Sequence, residues 1–336
     1  MSRICLFFAF LIVSTGFLSE SLYAQDRLYP VRHENGFGFI NADGELKIEP
    51  RFDAALDFSE GMAPVKITNR WGYVNMTGEI VIDAIYDRVH AFSEGLARVS
   101  TKDKWGFVNK KGEEVIKVRY SEALDFSEGI ASVQRKKGGK YKWGYIDAEG
   151  NEVVPAKYST ALSFSEGLAP VELKRKFGFV SGNSDWGYLN KAGEVVIEGG
   201  YGLARSFQGG VSLVHKDGDY GFIDTDSQLI VAAPYERVHS FSEGYARIYN
   251  DGTWGFINKE GEVAIELIFD HAYDFSEGLA LVKYGEKWGY VNETGEFSIQ
   301  PRFDKGWSFN GELARIFVDG HMGYIDKIGT MIWPAK

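Results

Sequence analysis

The chain has 336 residues, with 47 acidic and 37 basic side chains, a formal net charge of −10 and a single cysteine, Cys5. This acidic balance disfavours a nucleic-acid partner, because affinity for nucleic acid comes mostly from Lys and Arg on the phosphates. Cys5 lies in a segment expected to be removed, so the mature chain is expected to have no disulfide, thiolate metal site or cysteine nucleophile.

Residues 1–24 have the features of a secretory signal peptide. Arg3 supplies a positive charge, residues 4–18 form a mostly apolar run, and the small Ala24 precedes the expected cleavage before Gln25. A membrane anchor is the alternative, but this run is shorter than the roughly 20 residues that cross a bilayer. The sequence therefore predicts a secreted or periplasmic protein whose mature chain, residues 25–336, has no membrane span.

Nine copies of a short motif follow, and in each copy Gly comes after an aromatic residue or Met. The copies begin at Phe37, Trp71, Trp105, Trp143, Trp186, Tyr220, Trp254, Trp288 and Met322, mostly 34 residues apart. A fixed period indicates a repeat architecture, and 34 is also the period of the helical tetratricopeptide repeat. Glycine recurs in several columns of each copy, however, and costs about 1 kcal/mol in a helix interior. The flanking runs of Val, Ile, Tyr and Phe instead indicate β-strands.

The third copy illustrates how one repeat is organised. Residues 96–100, 105–108 and 113–118 are its three predicted strands. The loop between the last two is Asn109-Lys110-Lys111-Gly112, in which the Asn side chain can bond the backbone and the Gly can adopt a positive φ. Ser227 replaces this Gly in the sixth copy, which weakens the turn signal there.

A connector with the motif Phe-Ser-Glu-Gly joins successive repeats. Its glutamates, here called the connector glutamates, are Glu60, Glu94, Glu128, Glu166, Glu243 and Glu277. They could form an acidic surface that attracts cations. A Glu beside a turn Gly more often accepts local backbone N–H bonds, so a structural role is the favoured interpretation.

The two motifs together make the chain resemble the WG-repeat (KWG-repeat) proteins of bacteria over residues 28–334. The resemblance implies an all-β repeat array, commonly exported or joined to other domains, and it implies no general activity. Residues 25–336 are accordingly interpreted as one WG-repeat domain of about nine three-stranded antiparallel β-meanders.

Each meander must stack on its neighbours, because three strands alone cannot bury both faces of their sheet. The Gly after each Trp is expected to admit a close backbone or ring. The predicted core consists of Trp71, Trp105, Trp143, Trp186, Trp254, Trp288, Phe58, Phe92, Phe126, Phe164, Phe241 and Phe275. No strand is left over to complete a blade shared by both chain ends, so an open twisted solenoid is favoured over a propeller-like ring.

Two insertions break the period, at residues 136–142 and 177–185. Insertions in repeat proteins tend to lie on one face, which is often the binding face, although simple loop growth is the favoured explanation. The off-motif Trp307 and Trp333 are the residues proposed to face a ligand.

The six histidines lie in different repeats without zinc-site spacing. The sequence also contains no Gly-x-Ser-x-Gly elbow, Walker loop or dinucleotide fingerprint. The sequence therefore suggests a non-enzymatic protein without a cofactor, which binds an envelope or extracellular protein or acts as a scaffold in the cell envelope. Glycan or cell-wall binding through exposed aromatic rings is the first alternative. An unrecognised hydrolase is the second.

Overall fold

The computed structural model describes residues 27–173 and 184–334, and every regular element in these ranges is a β-strand. The strands form nine antiparallel sheets of three or four strands, one for each repeat, and these sheets are called blades 1–9 in chain order. The same ranges contain no helix of the length and apolarity that crossing a membrane would require.

The strands are grouped by blade as follows. Blade 1 has β1 (Tyr29–His33), β2 (Gly36–Ile40) and β3 (Leu46–Phe52); blade 2 has β4 (Ala54–Ala55), β5 (Met62–Ile67), β6 (Arg70–Asn75) and β7 (Ile80–Tyr86); blade 3 has β8 (Arg88–Val89), β9 (Leu96–Thr101), β10 (Lys104–Asn109) and β11 (Glu114–Tyr120). Blade 4 has β12 (Glu122–Ala123), β13 (Ile130–Lys137), β14 (Lys140–Asp147) and β15 (Glu152–Tyr158); blade 5 has β16 (Leu168–Glu172), β17 (Trp186–Asn190) and β18 (Val195–Tyr201); blade 6 has β19 (Leu203–Ala204), β20 (Ser212–Lys216), β21 (Asp219–Ile223) and β22 (Leu229–Ala233). Blade 7 has β23 (Arg237–Val238), β24 (Ala246–Asn250), β25 (Thr253–Ile257) and β26 (Val263–Phe269); blade 8 has β27 (His271–Ser276), β28 (Leu279–Tyr284), β29 (Lys287–Val291) and β30 (Phe297–Phe303); blade 9 has β31 (Lys305–Gly306), β32 (Ala314–Val318), β33 (His321–Ile325) and β34 (Met331–Pro334).

Each blade contains the predicted three-stranded meander, and most blades add a fourth strand from the connector. In blade 3, Arg88 and Val89 pair with Ser100 and Val99 of the first meander strand. Blade 5 has a single bridge at this position, between Ala161 and Val171. The sequence did not reveal these connector strands, because all but β27 have only two residues, too few to show a period of two.

The loop between the second and third meander strands has the predicted turn chemistry. The Oδ1 atom of Asn109 accepts the backbone N–H groups of Lys111 and Glu113 at 3.0 Å each, and Gly112 has a φ of 81°. Ser227 adopts a φ of 64° at the equivalent position of blade 6. The loop conformation therefore persists there without glycine.

The Gly of the Trp-Gly motif is required by the third strand of its own blade. A Cβ on Gly106 would lie 2.5 Å from the carbonyl oxygen of Ile116 and 2.6 Å from the nitrogen of Val118. The register between β10 and β11 shifts at this point, between Trp105 and Phe107. The expected close approach is thus made by backbone that crosses the motif at a bulge.

We expect Gly106→Ala to lower the free energy of unfolding by about 1–3 kcal/mol, because the added methyl overlaps backbone atoms that cannot rotate away. The measurement is urea unfolding followed by circular dichroism. Gly202→Ala is the matched control, since a Cβ there would meet its nearest atom, in His215, at an ordinary 3.5 Å. Equal midpoints for the two variants would contradict this explanation of the motif.

Apolar cores lie between neighbouring blades rather than within them. Between blades 2 and 3, the Tyr73 ring packs against Phe92 of the next connector with centroids 5.0 Å apart. The Tyr73 hydroxyl donates to the carbonyl of His90 at 2.7 Å. Tyr290 repeats the arrangement against Phe309, at 5.0 Å. Every blade is therefore stabilised mainly by its neighbours, as stacking requires.

Consecutive connectors are also hydrogen-bonded directly to each other. The hydroxyl of Ser59 donates to the carbonyl of Phe92 at 2.7 Å, and the Glu94 carboxylate accepts the N–H groups of Glu128 and Gly129 at 2.6 and 2.8 Å. All six connector glutamates accept such bonds from the next connector. Their role is structural, as favoured from the sequence, but it links two repeats instead of one turn. Because neighbouring sheets of a ring converge on its axis, these contacts place the connectors innermost.

The two ends of the blade series meet, and the molecule is a nine-bladed propeller ring. The rings of Tyr29 and Tyr324 lie 5.7 Å apart, the Tyr324 hydroxyl donates to the carbonyl of Pro30 at 2.9 Å, and the N–H of Glu312 donates to the Tyr29 hydroxyl at 3.1 Å. The propeller-like ring weighed as the alternative is therefore the arrangement present, and the open solenoid favoured from the sequence is not.

The reason lies in how the ring closes. Blade 1 is built only from the N-terminal part of the chain and blade 9 only from the C-terminal part, so no shared blade exists, as expected. Side-chain packing replaces it. Tyr29 stands in a column where the other repeats have Ala or Ser, and its ring fills the position that a connector Phe occupies at the other interfaces.

The two insertions interrupt the repeat at the same point, between the first and second meander strands. The first lengthens β13 and β14 to eight residues each. The second insertion lies mostly outside the residues that the structure describes, but its flanking strands pair Glu172 with Trp186, so it also joins a first meander strand to a second. We call the side of the ring on which the first and second meander strands are joined the insertion face.

Candidate functional site

The Trp residues predicted as core lie where the second meander strand begins, below the insertion face. Trp105 is 3% exposed, and its ring is covered by the guanidinium groups of Arg88 and Arg98, at 5.1 and 5.3 Å from the centroid. Trp254 is also buried. The others, Trp71, Trp143, Trp186 and Trp288, are half-buried at blade interfaces.

The connector Phe residues lie deeper in the ring. Phe58 is half-buried. Those that are fully buried are Phe92, Phe126, Phe164, Phe241 and Phe275. The two predicted columns thus differ in depth, with Phe against the neighbouring blade and Trp closer to the insertion face.

A cleft of about 400 Å³ lies at the inner edge of the ring where it closes. We call it the closure cleft. Its lining includes Tyr29, Asp57, Tyr273, Trp307, Arg315 and Tyr324. These residues come from blades 1, 2, 8 and 9, so only the closed ring brings them together.

The structure places the two proposed ligand-facing tryptophans differently. Trp307 lines the closure cleft and is 39% exposed, with the Arg315 guanidinium 4.5 Å from its ring centroid. Trp333 lies in β34 opposite Tyr324 and is partly buried against the apolar cluster at the ring closure. Of the two, Trp307 is the one that lines this cleft.

Sequence reasoning missed Tyr273, Arg315 and Asp57. Tyr273 and Trp307 share a connector column in which most other repeats have Leu or His, so an aromatic residue there was a usable signal. No sequence signal could have brought Asp57 near Arg315, because that proximity depends on ring closure.

Charge in the closure cleft is arranged differently from charge at equivalent sites around the ring. The Nε atoms of Arg98 and Arg247 lie 2.6 and 2.7 Å from carboxylates in the next connector, those of Asp125 and Asp274. Arg315 occupies the same column in blade 9, and no carboxylate within residues 27–173 and 184–334 forms an ion pair with it.

Asp57 is the acidic side chain of the cleft. It is reached by solvent through the cleft, yet the surrounding protein withdraws enough water to raise the pKa of its carboxyl group. The charges of Arg315 and Arg27 oppose this change. The cleft therefore combines exposed aromatic rings, an arginine and a carboxyl group that is costly to leave charged without a partner.

Several titratable groups outside the cleft have shifted pKa values. Burial, and then the nearby Arg98 or Arg247, lowers the pKa of His90, His239 and His271. Burial acts to raise the pKa of the connector glutamates Glu60 and Glu128, but lysine ion pairs and backbone N–H bonds outweigh it, so their pKa values are lowered.

We expect the melting temperature to fall in two steps as the solution is acidified. Below pH 6.5, the ordinary histidine pKa, the three half-buried histidines bind protons less readily in the folded chain than in the unfolded chain. Acidification therefore favours the unfolded chain, and stability decreases. Below pH 4.5, the ordinary glutamate pKa, Glu60 and Glu128 resist protonation in the folded chain because their pKa values are lowered, and stability decreases again. Thermal unfolding by circular dichroism at a series of pH values measures both steps.

The double variant Glu60→Gln/Glu128→Gln serves as the control for this pH dependence. It should keep the first step and lose part of the second, because only the glutamate contribution has been removed. A melting temperature that stays constant between pH 7.5 and pH 4 would contradict the assignment.

Within the described parts of the chain, no group of three or more His, Cys, Asp or Glu side chains is arranged to hold a metal ion.

A family model described as "WG containing repeat" matches residues 37–71, 71–105, 105–141, 143–177, 186–218, 220–254, 254–288 and 288–320. Among curated proteins, no sequence matches this chain.

Solved structures resemble the chain only distantly. Dihydro-heme d1 dehydrogenase NirN in complex with DHE is 11% identical, with a TM-score of 0.49, and the match covers 93% of this chain and 74% of that one. Hsv2p of Kluyveromyces lactis is 9% identical, with a TM-score of 0.43 and coverage of 71% and 92%. AztD of Citrobacter koseri is 11% identical, with a TM-score of 0.42 and coverage of 92% and 96%. None of these similarities bears on what this chain binds.

Proposed function

This chain belongs to the WG-repeat family, and from that premise we propose that it is an exported, non-enzymatic protein whose ring binds or scaffolds a protein partner in the cell envelope. The features of residues 1–24 support export. The observation that carries the binding role is the closure cleft, where Trp307 and Tyr273 are 39% and 42% exposed beside Arg315. Trp, Tyr and Arg are the residues most enriched at the energetic centres of protein interfaces.

Glycan or cell-wall binding is the second candidate, and the exposed rings of Trp307 and Tyr273 favour it specifically. Aromatic side chains with one open face can stack on the apolar face of a sugar ring. This candidate requires a carbohydrate ligand whose binding depends on the rings of Trp307 and Tyr273.

The test uses residues 25–336 as bait in a crosslinked pull-down from the envelope fraction of the producing cell, read by mass spectrometry. We expect a stoichiometric protein partner that is retained by the wild type and lost with Trp307→Ala. Tyr284→Ala is the matched control, because Tyr284 is 52% exposed and lies outside the closure cleft.

Capture that is unaffected by Trp307→Ala would overturn the role of the cleft. Depletion of the protein by purified cell-wall polysaccharide, abolished by Trp307→Ala, would favour the glycan candidate instead. Turnover of a defined substrate by the pure mature protein, abolished by one substitution, would contradict the non-enzymatic proposal.

A further inference from the structure

Within residues 27–173 and 184–334, blade 1 differs from the other blades at its inner edge. In the other eight, the first meander strand pairs with a connector, through a short strand in seven and through the bridge between Ala161 and Val171 in blade 5. In blade 1, β1 pairs with β2 on one side. On its other side the described residues place no strand.

The repeat period indicates which residues correspond to this position. The connector of blade 2 includes residues 54–59, and one period of 34 earlier are residues 20–25. Cleavage before Gln25 would remove nearly all of them. The inference below therefore rests on the proposed export and on the mature N-terminus that goes with it.

Two side chains of blade 9 are positioned for an inner strand on blade 1. Arg247 shows the usual arrangement, in which Nη1 donates to the carbonyl of Ala272 at 2.6 Å and Nε lies 2.7 Å from the carboxylate of Asp274. Arg98 contacts Ala123 and Asp125 in the same way. Arg315 is their counterpart facing blade 1. It contacts Trp307 of its own blade, as Arg98 and Arg247 contact His90 and His239 of theirs, but among the described residues it has no carboxylate partner in a next connector.

Tyr324 is the second such side chain. Tyr73 and Tyr290 each donate a hydrogen bond to a carbonyl in the next connector, at 2.7 and 2.8 Å. Tyr324 instead donates to the carbonyl of Pro30. In blade 2 the equivalent carbonyl, that of Pro64, accepts the N–H of a connector residue at 3.0 Å. An added strand could therefore bond Pro30 and release the Tyr324 hydroxyl to the strand's own carbonyl, with no loss of hydrogen bonds.

We propose that the closure cleft binds an extended peptide segment of a partner protein, which adds an inner strand to blade 1. Strand addition to an open sheet edge supplies main-chain hydrogen bonds, and side-chain contacts supply specificity. The molecule's own connectors define that specificity. Arg98 and Arg247 each meet a small residue followed two positions later by Asp.

The partner segment therefore carries Ala or another small residue, one intervening residue, and then Asp or Glu for Arg315. Residues 20–25 of this chain do not fit this requirement as well, since Tyr23 stands where the acidic residue is needed. Phe is not required after the acidic residue, because the Tyr29 ring already packs against Tyr324.

The test uses a fluorescent peptide with the sequence of residues 120–127 and the change Phe126→Ala, added to the mature chain and followed by fluorescence anisotropy. We expect saturable binding that weakens at least tenfold when Asp125 of the peptide is replaced by Asn. Arg315→Gln in the protein should cause a similar loss, and the two changes together should cost little more than either alone.

Arg98→Gln is the matched control, because Arg98 occupies the same column but lies outside the closure cleft and its connector partner is already in place. This variant should bind the peptide like the wild type. Hydrogen exchange should show new protection in Tyr29–His33 (β1) when the peptide is bound.

Lack of binding, or protection only outside β1, would overturn strand addition. Strand addition would also be overturned if the protein purified from its natural source begins before Glu20 and binds no peptide. In that case residues 20–25 of the chain itself would occupy the edge of blade 1. Failure of this inference can be distinguished from failure of the proposed function. A protein partner that is lost with Trp307→Ala, but does not bind through a peptide of this kind, would support the proposed binding function and contradict only strand addition.

Discussion

Trp105→Ala is expected to lower the free energy of unfolding by about 3–5 kcal/mol, the usual cost of removing a large buried aromatic side chain. Trp105 is 3% exposed. Its ring centroid lies 5.6 Å from that of His90, and two arginine side chains cover the ring. The truncation leaves a cavity and removes the apolar support on which Arg88 and Arg98 lie.

The measurement is equilibrium unfolding in urea. The slope of the unfolding free energy against urea concentration should be the same in variant and wild type, which shows that both expose the same surface on unfolding. Trp71→Ala is the comparison, since Trp71 is only half-buried and should cost less. A urea midpoint close to that of the wild type for Trp105→Ala would show that the Trp column is dispensable for packing. That result would direct attention to the column as a binding surface.

Tyr324→Ala is expected to open the ring as well as destabilise it. Tyr324 is buried against Tyr29 at the one blade interface that no peptide segment bridges in sequence. Loss of its ring and of its bond to Pro30 should cost about 3–5 kcal/mol, and the freed blades 1 and 9 should then separate. Small-angle scattering should report a larger radius of gyration, with association that grows with concentration because exposed blade faces can pair between molecules.

Tyr290→Ala provides a closely matched control for ring opening. Tyr290 is equally buried, packs against Phe309 at 5.0 Å and donates to Trp307 at 2.8 Å, but its two blades remain joined by the chain. It should lose similar stability and keep the compact dimensions of the ring. Identical scattering from both variants would contradict the idea that closure rests on the Tyr29–Tyr324 contact.

Much of the blade could be predicted because its signals are local. The strands around Trp105 follow from alternation and β-branched content, and the loop at Asn109 follows from its Asx and Gly chemistry. The connector strand at Arg88 could not be predicted, since it pairs only two residues. The bonds from Glu94 to the next repeat were missed for a different reason: they depend on how neighbouring blades are oriented.

The candidate site was predicted less well than the fold. Trp307 was selected because it departs from the repeat, and the structure places it in the closure cleft. Trp333 was selected on the same ground, yet it packs at the ring closure. Departure from a repeat marks positions with a different environment, but sequence alone does not distinguish an exposed cleft position from a packing position.

The sequence by itself determined the family, the number of repeats, the all-β meander and the position of its turns, because each is set by residues within one period of 34. Only the tertiary structure decided that the array closes. A ring of nine blades requires each to turn by about 40° from its neighbour, and that angle arises from packing between whole sheets. The closure cleft follows from the same closure, since Asp57, Tyr29 and Arg315 meet only when blade 9 reaches blade 1.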